Sequence, residues 1–155
     1  LSNEYAIVMV GLTPKQIEKL PDGIIGIART ESQQELAEYY SMVDVFVNLT
    51  YLDTFPTTNL EALACGTPVV TYRTGGSPEA ICDTACEKVK KAGAEYYPTG
   101  MVVEQGDVEG IIRCIRELKS RPINAAVCRQ RAEVLFDKDK CFEEYIRLYG
   151  TLVMR

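Results

Sequence analysis

Apolar positions fall into two rhythms along this chain. Residues 6–10, 23–28, 43–49, 67–72 and 101–103 are short, largely apolar runs such as AIVMV, GIIGIA and VDVFVNL. Runs of this length and β-branched make-up predict strands, and continuous ones such as 6–10 predict strands covered on both faces. Between them the spacing becomes helical. Thr13-Pro14-Lys15-Gln16 combines an N-cap threonine, a first-turn proline and a glutamine three residues after the cap. Ser32-Gln33-Gln34-Glu35 repeats the capping logic ahead of a helix carrying Leu36, Tyr39 and Tyr40. A helix is expected over 58–65, stopped by Gly66 just past its end. Ser77-Pro78-Glu79 opens another, and 87–92 reads as helical. Val108, Ile111, Ile112, Ile115 and Leu118 form an amphipathic stripe behind the cap Asp107. Helices over 123–135 and 138–152 complete the pattern.

Strands alternating with helices imply right-handed crossovers and a parallel sheet. The expected fold class is therefore α/β, a Rossmann-like doubly wound parallel sheet with a helical C-terminus. Such sheets bind ligands beyond the carboxyl ends of their strands, which singles out the loops after Val10, Ala28, Leu49 and Tyr72.

Composition narrows the chemistry. The chain has 155 residues, 46% hydrophobic and 25% charged, within the range of ordinary globular domains. With 17 basic against 22 acidic residues the net charge is −5, so no basic surplus exists to neutralise phosphates and no nucleic-acid partner is expected. The absence of histidine removes Ser-His-Asp and Cys-His catalysis and histidine-ligated zinc. Six cysteines lack paired CxxC spacing and read as small apolar residues in a reducing compartment; Cys82 and Cys86, four apart, make a poor metal signature. No apolar run is long enough to span a bilayer and no signal-peptide pattern opens the chain, so a cytoplasmic protein is expected. A start at Leu1 rather than Met suggests a piece of something longer.

The loop after the third strand carries the most chemistry: Thr50-Tyr51-Leu52-Asp53-Thr54-Phe55-Pro56-Thr57-Thr58-Asn59-Leu60-Glu61. Its carboxylates, Asp53 and Glu61, flank a helix start whose free N–H groups near Thr57 and Thr58 suit a diphosphate. Glu61, one turn in, would accept hydrogen bonds from ligand hydroxyls. A structural reading stands beside this one. Thr58-x-x-Glu61 also spells a capping box, and Asp53 also suits a turn residue bonding its own backbone.

Residues 53–79, DTFPTTNLEALACGTPVVTYRTGGSPE, resemble the signature of the retaining nucleotide-sugar glycosyltransferases of family 4, which have the GT-B fold. Those enzymes carry an acidic residue, seven intervening residues and a Glu, then Cys-Gly-x-Pro-Val-Val and Gly-Gly-x-Pro-Glu. The resemblance extends back through LAEYYSMVDVFV at 36–47 and forward through Gly100-Met101-Val102-Val103 and the terminal helices. It implies that residues 1–155 form the C-terminal nucleotide-sugar-binding domain, one lobe of the fold, incomplete at its N-terminal edge and without the acceptor domain. Nothing upstream of Tyr5 supplies the Arg and Lys that neutralise the departing diphosphate in the family.

By the same resemblance Asp53, where Glu is usual, contacts the donor sugar near the reacting carbon, and Glu61 holds the ribose hydroxyls. Thr54, Phe55, Pro56 and Thr57 match the segment whose backbone meets sugar and diphosphate, Pro56 standing where Gly is frequent and offering no N–H. Arg29 and Thr30 match the region lining the base. The donor is expected to be a nucleotide diphosphate sugar of UDP or GDP type, with no metal and no other cofactor. A saccharide or lipid-linked saccharide acceptor, and any membrane association, would belong to the missing domain. Polysaccharide or glycoconjugate biosynthesis is the expected setting.

Other features carry structural explanations. Asp137-Lys138-Asp139 imitates a DxD metal motif but sits at a helix start, where capping accounts for it. Gly75-Gly76 lacks phosphate-loop spacing and reads as a permissive turn. Tyr96-Tyr97 reads as packed loop, and Phe142, Tyr145 and Tyr149 as a core stripe. Two other functions share the alternation. A nucleotide-sugar 2-epimerase lobe has the same two-domain fold but lacks this acidic pair. A noncatalytic receiver-like signalling module needs an acidic pair after its first strand, where Gly11-Leu12 stand here.

Overall fold

The computed structural model describes residues 4–83, 89–91 and 94–153. In it the chain divides into two compact units, Leu1–Tyr39 and Tyr40–Arg155. In the first, β1 (Ile7–Val10) pairs in parallel with β2 (Ile24–Ile27), Ile7 opposite Ile24, with the one-turn helix α1 (Pro14–Ile17) between them. The predicted capping box forms, Gln16 Oε1 accepting from the Thr13 N–H at 2.8 Å. Burial of these strands on both faces does not hold. Ile17 and Leu20 lie over the β2 face that presents Gly26, so tightly that a Cβ there would sit 2.6 Å from Leu20 Cδ1. Met9, Val10 and Ile25 remain 40–54% exposed, because a two-stranded ladder and one turn of helix leave apolar positions uncovered.

Helix α2 (Gln33–Met42) leads into the second unit. There β3 (Phe46–Asn48), β4 (Val69–Tyr72) and β7 (Gly100–Val103) form a parallel ladder with β4 at its centre. Every residue of β4 is buried, polar Thr71 included, and the one-turn helix α4 (Ser77–Ala80) follows it. On one side Val70 and Tyr72 join Met101 and Val103 of β7 and the inward stripe of α5 (Val108–Ser120), chiefly Ile111 and Leu118. Asp107 caps that helix as expected, its Oδ1 accepting from the Gly110 N–H at 2.8 Å. Elsewhere in the unit α3 (Thr57–Ala64) buries Asn59, Ala62 and Leu63, and α6 (Ala125–Leu135) packs on α3 through Ala125 at Gly66 and through Arg129, which donates to the Ala64 carbonyl at 3.0 Å.

Gly66 ends α3 as predicted. Its φ is +86°, its N–H donates to the Leu63 carbonyl and the Thr67 N–H to the Ala62 carbonyl, the paired bonds of a Schellman cap. Cys128 lies wholly buried on α6, where burial pushes its thiol up to about 12, so it packs as an apolar group.

Two expectations fail in this unit. Of the helix expected over 87–92, the described residues are strand instead: β5 (Val89–Lys91) and β6 (Ala94–Tyr96) form an antiparallel pair, and 87, 88 and 92 lie outside those described. Cys86 also lies outside them. Val89 is β-branched and Tyr96 aromatic, both favoured in strands, and cross-strand pairing outweighs a weak helical propensity. The second failure concerns the last helix, α7 (Lys138–Val153), which buries no residue. Phe142, Tyr145 and Tyr149 are 58–63% exposed, so the expected core stripe is an open apolar face. Period alone identifies an apolar face without showing that a neighbour covers it. Among the described residues no helix is long and apolar enough to cross a membrane.

Two glycines test this packing. A Cβ on Gly100 would meet the Val69 carbonyl oxygen at 2.0 Å, inside the central ladder, whereas one on Gly150 meets nothing within 4 Å. Gly100→Ala should destabilise the chain by at least about 2 kcal/mol in urea unfolding, through overpacking of the ladder. Gly150→Ala should stabilise it by about 0.5–1 kcal/mol by improving helix propensity. Equal unfolding midpoints for the two variants would contradict this account.

Candidate functional site

The chain leaves β3 at Asn48 and reaches α3 through residues 49–56. Asn48 organises this connection. Its Oδ1 accepts from the Thr50 N–H at 3.2 Å, its Nδ2 donates to Asn59 Oδ1 at 2.9 Å, and its backbone carbonyl accepts from Thr71 Oγ1 at 3.1 Å. One amide thus ties the loop, the first turn of α3 and the central strand. Asn59 is fully buried; the bond from Asn48 satisfies its Oδ1, while its Nδ2 has no partner among the described residues.

Further along, Asp53 Oδ1 accepts from the Phe55 N–H at 3.0 Å, an Asx turn. The structural reading of Asp53 is therefore met. Its Oδ2 has no partner among the described residues. This turn also changes which backbone groups can face a ligand: the Phe55 N–H is taken, and Pro56 has none. Thr54, Thr57 and Thr58 retain theirs. The Phe55 ring packs on Phe136, centroids 5.9 Å apart, and anchors the loop beside the α6–α7 junction.

The turn after β4 presses on the loop from another direction. Gly76 donates its N–H to the Thr54 carbonyl at 2.8 Å. A Cβ on Gly75, whose φ is +48°, would lie 1.8 Å from the Asp53 carbonyl oxygen, and one on Gly76 would lie 2.3 Å from that of Thr54. The Gly-Gly pair is a permissive turn, as expected, and it is also the condition for two backbones to meet.

Helix α3 begins at Thr57, with Pro56 as N-cap at φ −70°, ψ 111° and no side-chain cap bond. The start lies one residue earlier than expected and makes Glu61 the fifth helical residue. The Thr58-x-x-Glu61 capping box does not form, because a glutamate in that position lies beyond the first turn. Glu61 is instead exposed, and its Oε2 accepts from the Tyr40 hydroxyl at 3.2 Å. Thr57 and Thr58 are exposed at the helix start, where the first N–H groups have no intrahelical acceptor and the dipole favours an anion.

The structure thus places Asp53, Thr54, Phe55, Pro56, Thr57, Thr58 and Glu61 in one loop-to-helix segment of the second unit. Arg29 and Thr30 follow β2 in the first unit, the former exposed and the latter half-buried. Asp137 caps α7 as expected, its Oδ1 accepting from the Lys140 N–H at 2.9 Å. Sequence reasoning missed Asn48 and Tyr40. A polar residue closing an otherwise apolar strand is a legible signal for Asn48. Tyr40 offers none, since helical spacing makes it look like core.

The family model for glycosyl transferases group 1 matches residues 5–134. The chain belongs to this family. The sulfoquinovosyl transferase SQD2 of Arabidopsis thaliana is 31% identical over 137 residues, covering 84% of this chain and 25% of that protein. Sucrose-phosphate synthase from Thermosynechococcus elongatus superposes with a TM-score of 0.73 at 23% identity, over 95% of this chain and 38% of that one. Anabaena Alr3699/HepE in complex with UDP gives a TM-score of 0.67 at 16% identity, over 88% and 35%. The structural likenesses establish the α/β fold of the GT-B glycosyltransferases for this group 1 chain. It spans about a quarter of the length of the curated relatives it matches over most of its residues.

Removing the Asn48 amide should leave buried Asn59 without its partner and release Thr50. Asn48→Ala is expected to lower stability by about 2 kcal/mol and to shift the backbone amide signals of Thr50 and Asn59. A loss below about 0.5 kcal/mol would show that the connection is held by other contacts.

Proposed function

We propose that this chain is the donor-binding lobe of a retaining, family 4 nucleotide-sugar glycosyltransferase. The enzyme moves a sugar from a UDP- or GDP-type donor to a saccharide or lipid-linked saccharide, in polysaccharide or glycoconjugate biosynthesis. The acceptor belongs to a second lobe of the whole enzyme. The observation that carries this reading is the state of Glu61: an exposed carboxylate on the helix whose N-terminus faces the Asp53 loop, and which that helix does not use as a cap.

The geometry supports a division of labour. Thr57 and Thr58 present N–H groups and the positive end of the α3 dipole to the departing diphosphate, where preorganised donors stabilise developing charge without reorganising. Glu61 Oε1 accepts from the ribose hydroxyls. Asp53 uses Oδ1 to shape the loop and Oδ2 to orient the donor sugar. These roles are assigned to carboxylates and backbone dipoles, and no metal is invoked. The relative crystallised with UDP has the same fold, which makes a uridine nucleotide the first probe.

Titration of the chain with UDP and GDP, followed by amide chemical shifts, should move signals around Thr54, Thr57 and Thr58 for one nucleotide at least. Glu61→Ala should weaken that binding about tenfold or more, as expected when a charge-assisted bond to a hydroxyl is lost. Unchanged affinity in Glu61→Ala would make Glu61 an ordinary surface residue and end this reading. Sugar transfer by the isolated chain is expected to be undetectable, since the acceptor lobe lies outside it.

A further inference from the structure

We infer that Tyr40 is a positioning residue for Glu61, fixing the carboxylate that the proposed donor-binding reading assigns to the ribose. This inference rests on that reading and adds to it a residue from a different helix.

The argument starts from how Tyr40 is held. It lies near the C-terminal end of α2, 8% exposed, the one buried residue of that helix. Its ring meets Phe46 of β3 edge-on, centroids 5.2 Å apart with planes at 83°, a favoured aromatic geometry. Its backbone carbonyl accepts from the hydroxyl of Thr67, a buried residue just past α3. Ring and backbone are therefore fixed to two elements, and only the hydroxyl reaches toward exposed Glu61, at 3.2 Å from Oε2.

An exposed glutamate has several rotamers of similar energy, and ordering it costs side-chain entropy when ligand binds. A bond from an immobile phenol selects one rotamer beforehand. It also divides the carboxylate, with Oε2 engaged by protein and Oε1 left for a ligand hydroxyl. The tyrosine is suited to remain a donor: burial first, and the Glu61 charge second, push its ionisation above the usual phenol range. Neither Thr58 nor another capping residue competes for Glu61, because α3 forms no side-chain cap.

The test uses Tyr40→Phe, which keeps the ring on Phe46 and deletes only the hydroxyl. Whichever of UDP and GDP binds the unaltered chain more tightly is titrated against it, together with the 2′,3′-dideoxy form of the same nucleotide. Tyr40→Phe should weaken the ribonucleotide by roughly three- to tenfold and leave the dideoxy nucleotide unchanged. In a Glu61→Ala background the same substitution should have no further effect, since nothing remains to position. Equal ribonucleotide affinity in Tyr40→Phe, with Glu61→Ala impaired, overturns the inference and leaves the donor-binding reading intact. An effect that persists in Glu61→Ala, or that falls equally on the dideoxy nucleotide, marks a merely structural role and also overturns it. Full affinity in Glu61→Ala alone overturns the reading beneath it, a result distinct from the other two.

Discussion

The second unit depends on the complete burial of β4. This strand is the middle member of the β3–β4–β7 ladder, and none of its four residues reaches solvent. A strand buried on both faces requires cover on each, and its backbone groups must be paired along both edges. The Met101, Val103, Ile111 and Leu118 cluster meets that need on one side. Once β4 is fixed, so are the points where the chain enters and leaves it. The turn after Tyr72 must pass beside the loop that follows β3. Two glycines there permit the backbones of residues 75–76 and 53–54 to approach within hydrogen-bonding distance.

The candidate site is a consequence of that approach. Its loop is held by polar bonds from Asn48 and Gly76, by the Asx turn of Asp53 and by the stack of Phe55 on Phe136. Four attachments of different kinds converge on eight residues, and two of them engage the N–H groups of Thr50 and Phe55. The proposed diphosphate contacts draw on N–H groups that these bonds leave unengaged, at Thr54, Thr57 and Thr58. A preorganised set of donors costs little to align when an anion arrives.

Much of this was legible in the residues themselves. Each strand of the ladder lies in a short, largely apolar run, and Asp107, Gly66 and Asp137 mark helix ends through capping chemistry that acts over three or four residues. The acidic pair was legible too, through its resemblance to a family signature. What misled was also local. The Thr58-x-x-Glu61 pattern matches a capping box, yet Pro56 takes the N-cap position and moves the helix start by a residue. The stripe of Phe142, Tyr145 and Tyr149 has core periodicity without cover, and 89–91, within the span expected to be helical, pairs as a strand with 94–96.

The sequence by itself determined the α/β class and the alternation of elements, and it singled out the segment proposed to carry the chemistry, because these follow from periodicity and from short-range patterns. Tertiary structure alone decided what each polar group in that segment does. Whether Glu61 caps its helix or meets Tyr40, and why residues 75 and 76 must be glycine, depend on distances between positions 21 or 22 residues apart. Such distances are set by the packing of whole elements around β4, and no local pattern of residues encodes them.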